Sequence, residues 1–141
     1  MIVLDTNVVS ELLRPAPDER VLTWLDRQRS SELWLSAVSA AELAFGVERL
    51  PHGRRKIQLR EAVRAVLSVD LGGRLLPLDR AAAEAYGSLA ADLERQGLSR
   101  SIPDVQIAAT CRSRGATLAT RNVRDFAGTG LDLVNPWELA G

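Results

Sequence analysis

Met1-Ile-Val-Leu4 runs directly into Asp5-Thr6-Asn7 and then into Val8-Val-Ser-Glu-Leu-Leu13, and the reading of this opening decides the fold class. A short apolar run bounded by polar residues reads as a buried strand. From Val8 the apolar positions continue as a helix, which Arg14-Pro15-Ala16-Pro17 stops because proline cannot donate the next backbone hydrogen bond. A strand that passes into a helix within three residues is the start of an α/β unit, whose next strand returns parallel to the first.

Downstream of this opening the alternation repeats. Asp18 is placed to cap a helix running to about Arg29, with Val21, Leu22 and Leu25 on its buried side. Leu33-Trp34-Leu35-Ser36 reads as a second strand. Ser39 opens a helix with Ala40, Leu43, Val47 and Leu50 facing the core, and Pro51-His52-Gly53 ends it. Over Arg54 to Val69 the apolar residues Leu59, Val63, Val66 and Leu67 recur at helical spacing, while Lys56, Arg60 and Arg64 fall four apart on another face. Leu75 to Leu78 is a third strand, Asp79 caps a helix through Arg95, Ser101 to Ser113 is a further helix ended by Gly115, and Thr117–Thr120 and Leu131–Val134 complete the strands. The pattern predicts an α/β fold with a largely parallel sheet covered on both faces. With no repeat, low-complexity tract or linker, residues 1–141 read as one domain.

Composition narrows the chemistry. No apolar stretch approaches the ~20 residues that cross a bilayer, and Met1 leads into a strand rather than a leader, so a soluble cytoplasmic protein without membrane association is expected. Cys111 is the only cysteine and His52 the only histidine, which excludes a disulfide framework and a Cys/His zinc cluster within one chain. Any metal must be held by oxygen. Lys+Arg and Asp+Glu are both 18, so nucleic-acid binding has to rest on local patches. Lys56 is the only lysine, and Asn7 stands two residues after Asp5. Phosphatases of the haloacid-dehalogenase type need a second Asp at that spacing and a catalytic lysine, and phosphoacceptor receiver domains need a lysine after a late strand, so both readings are weak.

The acids are placed with more purpose. In open α/β sheets ligands collect at the carboxyl ends of strands, where loops and helix N-termini converge. Asp5 lies at such an end, although alone it reads equally as a helix cap. Glu42 sits among Ala41, Leu43, Ala44 and Phe45 with no cationic neighbour in sequence; it is either a partly buried charge in want of a partner or a residue on a solvated helix edge. Asp104 shares a helical face with Ile107, Ala108 and Cys111, and it also completes a capping box with Ser101. Asn122 and Asp125 follow the strand Thr117–Thr120, where turn or cap roles compete. Taken as a set, these oxygen-bearing side chains are all expected near one edge of the sheet. Carboxylates gathered there repel one another unless a cation neutralises them, and a hard ion, Mg²⁺ or Mn²⁺, suits an all-oxygen site. Arg121 and Arg124 flank the proposed site and are candidates for binding substrate phosphate. The basic face of Lys56, Arg60 and Arg64, with Arg54 and Arg55, reads either as RNA-backbone contact or, more simply, as a solvated surface. Trp24, Trp34 and Trp137 are too dispersed for a base-stacking platform and read as core or interface residues.

Five segments then carry a resemblance. Ile2-Val-Leu-Asp5-Thr6-Asn7-Val-Val-Ser-Glu-Leu, Leu35-Ser-Ala-Val-Ser-Ala-Ala-Glu42-Leu, Asp104 followed by Ile107-Ala-Ala, Ala119-Thr-Arg-Asn-Val-Arg-Asp-Phe126 and Val134-Asn-Pro-Trp137, in this order and spacing, resemble the PIN-domain ribonucleases, most closely the VapC and FitB toxins of bacterial toxin–antitoxin pairs. The resemblance implies a three-layer α/β/α fold, Mg²⁺- or Mn²⁺-dependent cleavage of single-stranded RNA, neutralisation by a cognate antitoxin and a homodimer. It implies that Asp5, Glu42 and Asp104 hold the metal and that Thr6 is the hydroxyl residue beside the first acid. FitB-like members have Asp after Thr-Arg, where this chain has Asn122, with Asp125 three residues on. Either completes the site, and a neutral Asn122 also leaves open a non-catalytic RNA- or protein-binding module on the same scaffold. Spare apolar helix surface is expected to receive an antitoxin segment or a second copy.

Overall fold

Five short strands, Ile2–Leu4 (β1), Leu33–Ser36 (β2), Leu75–Leu76 (β3), Thr117–Ala119 (β4) and Leu133–Val134 (β5), pair in the order β3-β2-β1-β4-β5, every pair parallel, in a computed structural model that describes residues 1–138. The period of two explains the near-continuous apolar strands. Leu4, Leu35 and Ala119 point to one face of the sheet, while Val3 and Leu118 point to the other. On the first face the strands pack against Val8 and Val9 of α1 (Thr6–Leu12), Val21 and Trp24 of α2 (Glu19–Asp26), Leu43 and Val47 of α3 (Ala37–Glu48) and Val63 of α4 (Arg54–Ala65). On the second they meet Leu89 and Leu93 of α5 (Arg80–Arg95), Ile107, Ala108 and Cys111 of α6 (Ile102–Arg114), and Phe126. Burying a large aliphatic side chain of this kind contributes about 1.5–3 kcal/mol. The result is the three-layer α/β/α arrangement.

Strand order fixes where a site can form. From β1 the chain passes through α1 and α2 to β2 on one side, then on to β3; it later returns through α5 and α6 to β4, on the other side of β1. Connections therefore diverge between β1 and β4, and at such a switch point the carboxyl ends of the strands open into a crevice. The last residues before that crevice are paired, Leu4 with Ala119, and the Asp5 N–H donates to the Ala119 carbonyl at 2.8 Å.

Several sequence expectations are corrected. The second helix ends at Asp26 rather than near Arg29, and Ser30–Glu32 form a 3₁₀ turn. Leu22 is exposed, because the buried stripe of α2 runs through Val21, Trp24 and Leu25 at i, i+3 and i+4 and leaves Leu22 one step round the helix. β3 stops at Leu76, where Pro77 has no N–H to extend the ladder. Lys56 does not join an exposed basic face. It is 7% exposed, and its Nζ donates to the carbonyl of Glu48 at 3.0 Å while lying 3.7 Å from the Glu48 carboxylate. Arg60 holds the same carboxylate at 2.9 Å. The Pro51-His52-Gly53 turn folds α4 back on α3, so the ammonium meets the C-terminal carbonyls of α3, the end of a helix that attracts cations.

Replacing Lys56 by Ala is expected to destabilise the protein by about 1.5–3 kcal/mol, the worth of a buried hydrogen bond from a charged donor. Chemical denaturation measures it, and an unchanged midpoint would show that the α3–α4 clamp contributes nothing.

Candidate active site

Asp5 is both the cap of α1 and the floor of a cleft. Its Oδ1 accepts the Thr6 N–H at 2.8 Å; its Oδ2 accepts the Thr120 hydroxyl at 2.7 Å and the Asn7 amide at 3.2 Å. Three donors occupy three of the roughly four lone-pair positions of a carboxylate, which leaves one side open toward the cleft. Thr120, fully buried at the end of β4, also accepts the Asn122 N–H at 3.0 Å, and Asn7 Oδ1 accepts the Arg121 N–H at 3.3 Å. One small network thus ties β1, the first turn of α1 and the loop after β4 together. Asp5 is only 5% exposed. Burial raises its pKa above the usual carboxylate range, against the lowering effect of the Thr120 and Thr6 hydrogen bonds, and the charges of Asp104 and Glu42 push it further up.

Asp5, Thr6, Asn7, Glu42, Asp104 and Asn122 line one cleft of about 470 Å³. Glu42, on α3, is exposed rather than partly buried, which settles the sequence alternatives in favour of a solvated position, but it is not idle. Its Oε1 lies 2.7 Å from Thr6 Oγ1, which is also 2.8 Å from the Ser39 hydroxyl. Thr6 has a single hydroxyl proton, so it donates to the carboxylate and accepts from the buried Ser39. Asp104 stands in the first turn of α6, its N–H capped by Ser101 at 3.2 Å. The cap reading is therefore correct for the backbone, and it leaves the half-buried carboxyl to the cleft. Its pKa too is raised, chiefly by burial, with the charge of Asp125 adding to the rise and that of Arg100 opposing it.

The fourth position divides. Asn122 lines the cleft and also borders a neighbouring depression, whereas Asp125 lines only that depression, with Arg121, Val123, Arg124 and Glu138. Of the two arginines, Arg121 borders both hollows and Arg124 only the second. Arg121 is steadied by Trp137, whose ring centroid lies 5.2 Å from the guanidinium carbon, close enough for a cation–π contact. Trp137 is buried as expected, yet it also borders the cleft. Cys111 lies behind the site among core residues, and burial pushes its thiol up to about 12, so it is no nucleophile.

A model of the PIN domain matches residues 2–130. The chain belongs to the PIN domain family. It is 42% identical over 140 residues to VapC ribonuclease Y4jK of Sinorhizobium fredii, covering 99% of this chain and all of that protein. It is 39% identical over 137 residues to toxin FitB of Neisseria gonorrhoeae, covering 97% and 99%. A solved structure of FitAB bound to the IR36 DNA fragment superposes with a TM-score of 0.92 at 38% identity, covering 100% of this chain and 99% of that one.

In this PIN domain the donor set bears on a cation. Among the described residues no three His, Cys, Asp or Glu side chains stand close enough together to hold a metal ion as a group. The acids surround an open cleft instead, and a hard divalent ion is commonly bound through one or two carboxylates while it retains waters. An ordered, desolvated Asp5 with one open side and two further carboxylates in electrostatic reach fits that mode. Asp5, Asp104 and Glu42 are the residues that would hold it. Thr120 and Ser39 carried no sequence signal, because each acts through a partner more than thirty residues away.

Because the folded-state pKa of Asp5 is raised, its ionisation disfavours the fold, and stability is regained as pH falls through that pKa. In EDTA, lowering the pH from about 7 to about 4 is expected to stabilise the wild-type protein relative to Asp5→Asn. Thermal unfolding of both across that range checks the sign; the opposite slope would mean that the hydrogen bonds to Asp5 outweigh its burial.

Proposed function

We propose that the chain is an endoribonuclease toxin of a toxin–antitoxin pair, hydrolysing phosphodiester bonds in single-stranded RNA with the help of Mg²⁺ or Mn²⁺. The observation that carries this is Asp5, buried at the β1/β4 switch point, fixed by three donors and facing Asp104 and Glu42 across a cleft. Kinship with proteins named as a VapC ribonuclease and as toxin FitB supports the activity and the class. The likeness to FitB in a FitAB assembly on DNA supports a cognate antitoxin as partner. An RNA-cleaving toxin meets its substrate in the cytoplasm, which is where we place it.

A divalent ion held by these residues would supply Lewis-acid chemistry, polarising a phosphoryl oxygen and easing the ionisation of a water. The chain's own residues do the rest. Asp5 and Asp104 set the negative charge at the floor of the cleft. Glu42, with Oε1 engaged by Thr6, keeps Oε2, which makes no hydrogen bond among the described residues, for the ion or for a proton of the attacking water. Asn122 offers an amide to the same space without adding charge. Arg121, stacked on Trp137, is placed to bind phosphate. The water oxygen forms the new bond to phosphorus as the bond to the leaving nucleotide's oxygen breaks.

Incubation of the pure protein with unstructured RNA and Mn²⁺ is expected to give cleavage that EDTA abolishes and that Asp5→Asn lowers by more than about 100-fold, beyond the loss that follows removal of an outer-shell partner. Cleavage persisting in EDTA or in Asp5→Asn would refute the metal-nuclease reading. No cleavage of any RNA would favour the non-catalytic module that the neutral Asn122 allows. Thr120→Val, which deletes the hydroxyl that orients Asp5 but touches no substrate, is expected to weaken Mn²⁺ binding or activity by about 10- to 100-fold. Calorimetric Mn²⁺ titration and initial rates test it, and wild-type values in both would remove Thr120 from the site.

A further inference from the structure

We infer that Arg14 is a substrate-binding residue that grips an RNA phosphate beside the acids, and that buried Glu11 is the positioning residue that holds it there. This rests on the ribonuclease reading and adds to it a path for the strand.

Glu11, on α1, is a carboxylate only 5% exposed. Such a group must be satisfied, and here it has two partners. The Asp18 N–H donates to Oε2 at 2.9 Å, and Arg14 Nη1 lies 3.2 Å from Oε1 and 3.3 Å from Oε2. The first bond closes the loop from Leu13 to Asp18, already stiffened by Pro15 and Pro17, and the second fixes the guanidinium. Arg14 N–H also donates to the Glu11 carbonyl at 3.2 Å, so backbone and side chain are both anchored on the same residue. Even so, the Arg14 side chain is 64% exposed, and its Nε and Nη2 make no hydrogen bond among the described residues. An arginine clamped at one nitrogen with its other donors free is pre-organised for an anion, because little side-chain freedom remains to be lost on binding.

Its position gives the anion a class. Arg14 borders the acidic cleft and also the groove beyond it, which continues past Arg55 and Leu59 between α1, α3 and α4. Arg121 likewise borders the acidic cleft and the depression beyond it that holds Arg124. Each of these guanidiniums therefore stands where the cleft that holds the carboxylates meets a further hollow. A polyanion crossing carboxylates needs cations on its flanking charges. A single strand with its scissile phosphate at the acids would bring neighbouring phosphates to Arg14 and Arg121, and the planar fork of arginine suits a phosphate's paired oxygens.

The rival explanation is that Arg14 only neutralises Glu11. Binding of a fluorescein-labelled single-stranded RNA of mixed sequence, followed by anisotropy against salt in an Asp5→Asn background that does not cut, separates the two. Adding Glu11→Gln with Arg14→Gln removes the guanidinium without leaving a buried charge unpaired, and Arg14→Lys keeps the charge but not the fork. The double substitution is expected to fold with a Tm near that of Glu11→Gln alone, to bind RNA about tenfold more weakly, as for loss of one charge-assisted hydrogen bond, and to flatten the log–log salt slope by about 0.7, one phosphate contact on a single strand. Glu11→Gln alone is expected to lose affinity with the slope kept, and Arg14→Lys to do the same. Affinity and slope unchanged in the double substitution would overturn the inference while the ribonuclease reading stands. A background protein that binds no RNA at all would overturn both.

Discussion

Everything at the functional end of this molecule depends on one hydrogen bond, the 2.7 Å contact from the Thr120 hydroxyl to Asp5 Oδ2. It joins the carboxyl ends of the two strands between which the chain's connections diverge, and with the Thr6 N–H and the Asn7 amide it holds a desolvated carboxylate against its own preference for water. Burial and two neighbouring carboxylates make the ionised form of Asp5 costly, while the same hydrogen bonds that orient it favour that form. The parallel sheet supplies the rigidity. With both faces sealed by helices, the strand ends have little room to move and the site inherits their spacing.

The neighbouring groups form a graded set around that anchor. Glu42 is exposed and tied to Thr6 and through it to Ser39, Asp104 is half-buried and carried on a capped helix, and Asn122 contributes a dipole where a charge would add to the repulsion. Arg121, against Trp137, and Arg14, clamped by Glu11, border the same cleft as the acids, a local pairing of charge in a chain with 18 basic and 18 acidic residues.

Much of this was legible in the sequence for physical reasons. The strand–helix alternation gives the fold class because buried parallel strands must be apolar on both faces, and Asp5 at a strand end, Asp104 in the first turn of α6 and Glu42 midway along α3 sit on elements whose relative placement the topology then dictates. What could not be read were the contacts made at long range. Lys56 looked like part of a basic face because helical spacing does not reveal that the turn before it returns α4 to the C-terminus of α3. Thr120, Ser39 and Glu11 are ordinary residues until their partners are known. Asn122 caps the 3₁₀ segment Val123–Phe126 that carries Asp125, and the turn places Asn122 at the border of the cleft and the next depression but Asp125 in the depression alone.

Whether the Asp5 cluster binds a cation is the central question for this molecule. Anomalous diffraction from a crystal soaked in Mn²⁺ addresses that directly. A peak within bonding distance of the Asp5 carboxylate, shared with Asp104 or Glu42, is the predicted result. An empty cleft at saturating Mn²⁺, or an ion bound only elsewhere on the protein, would contradict it.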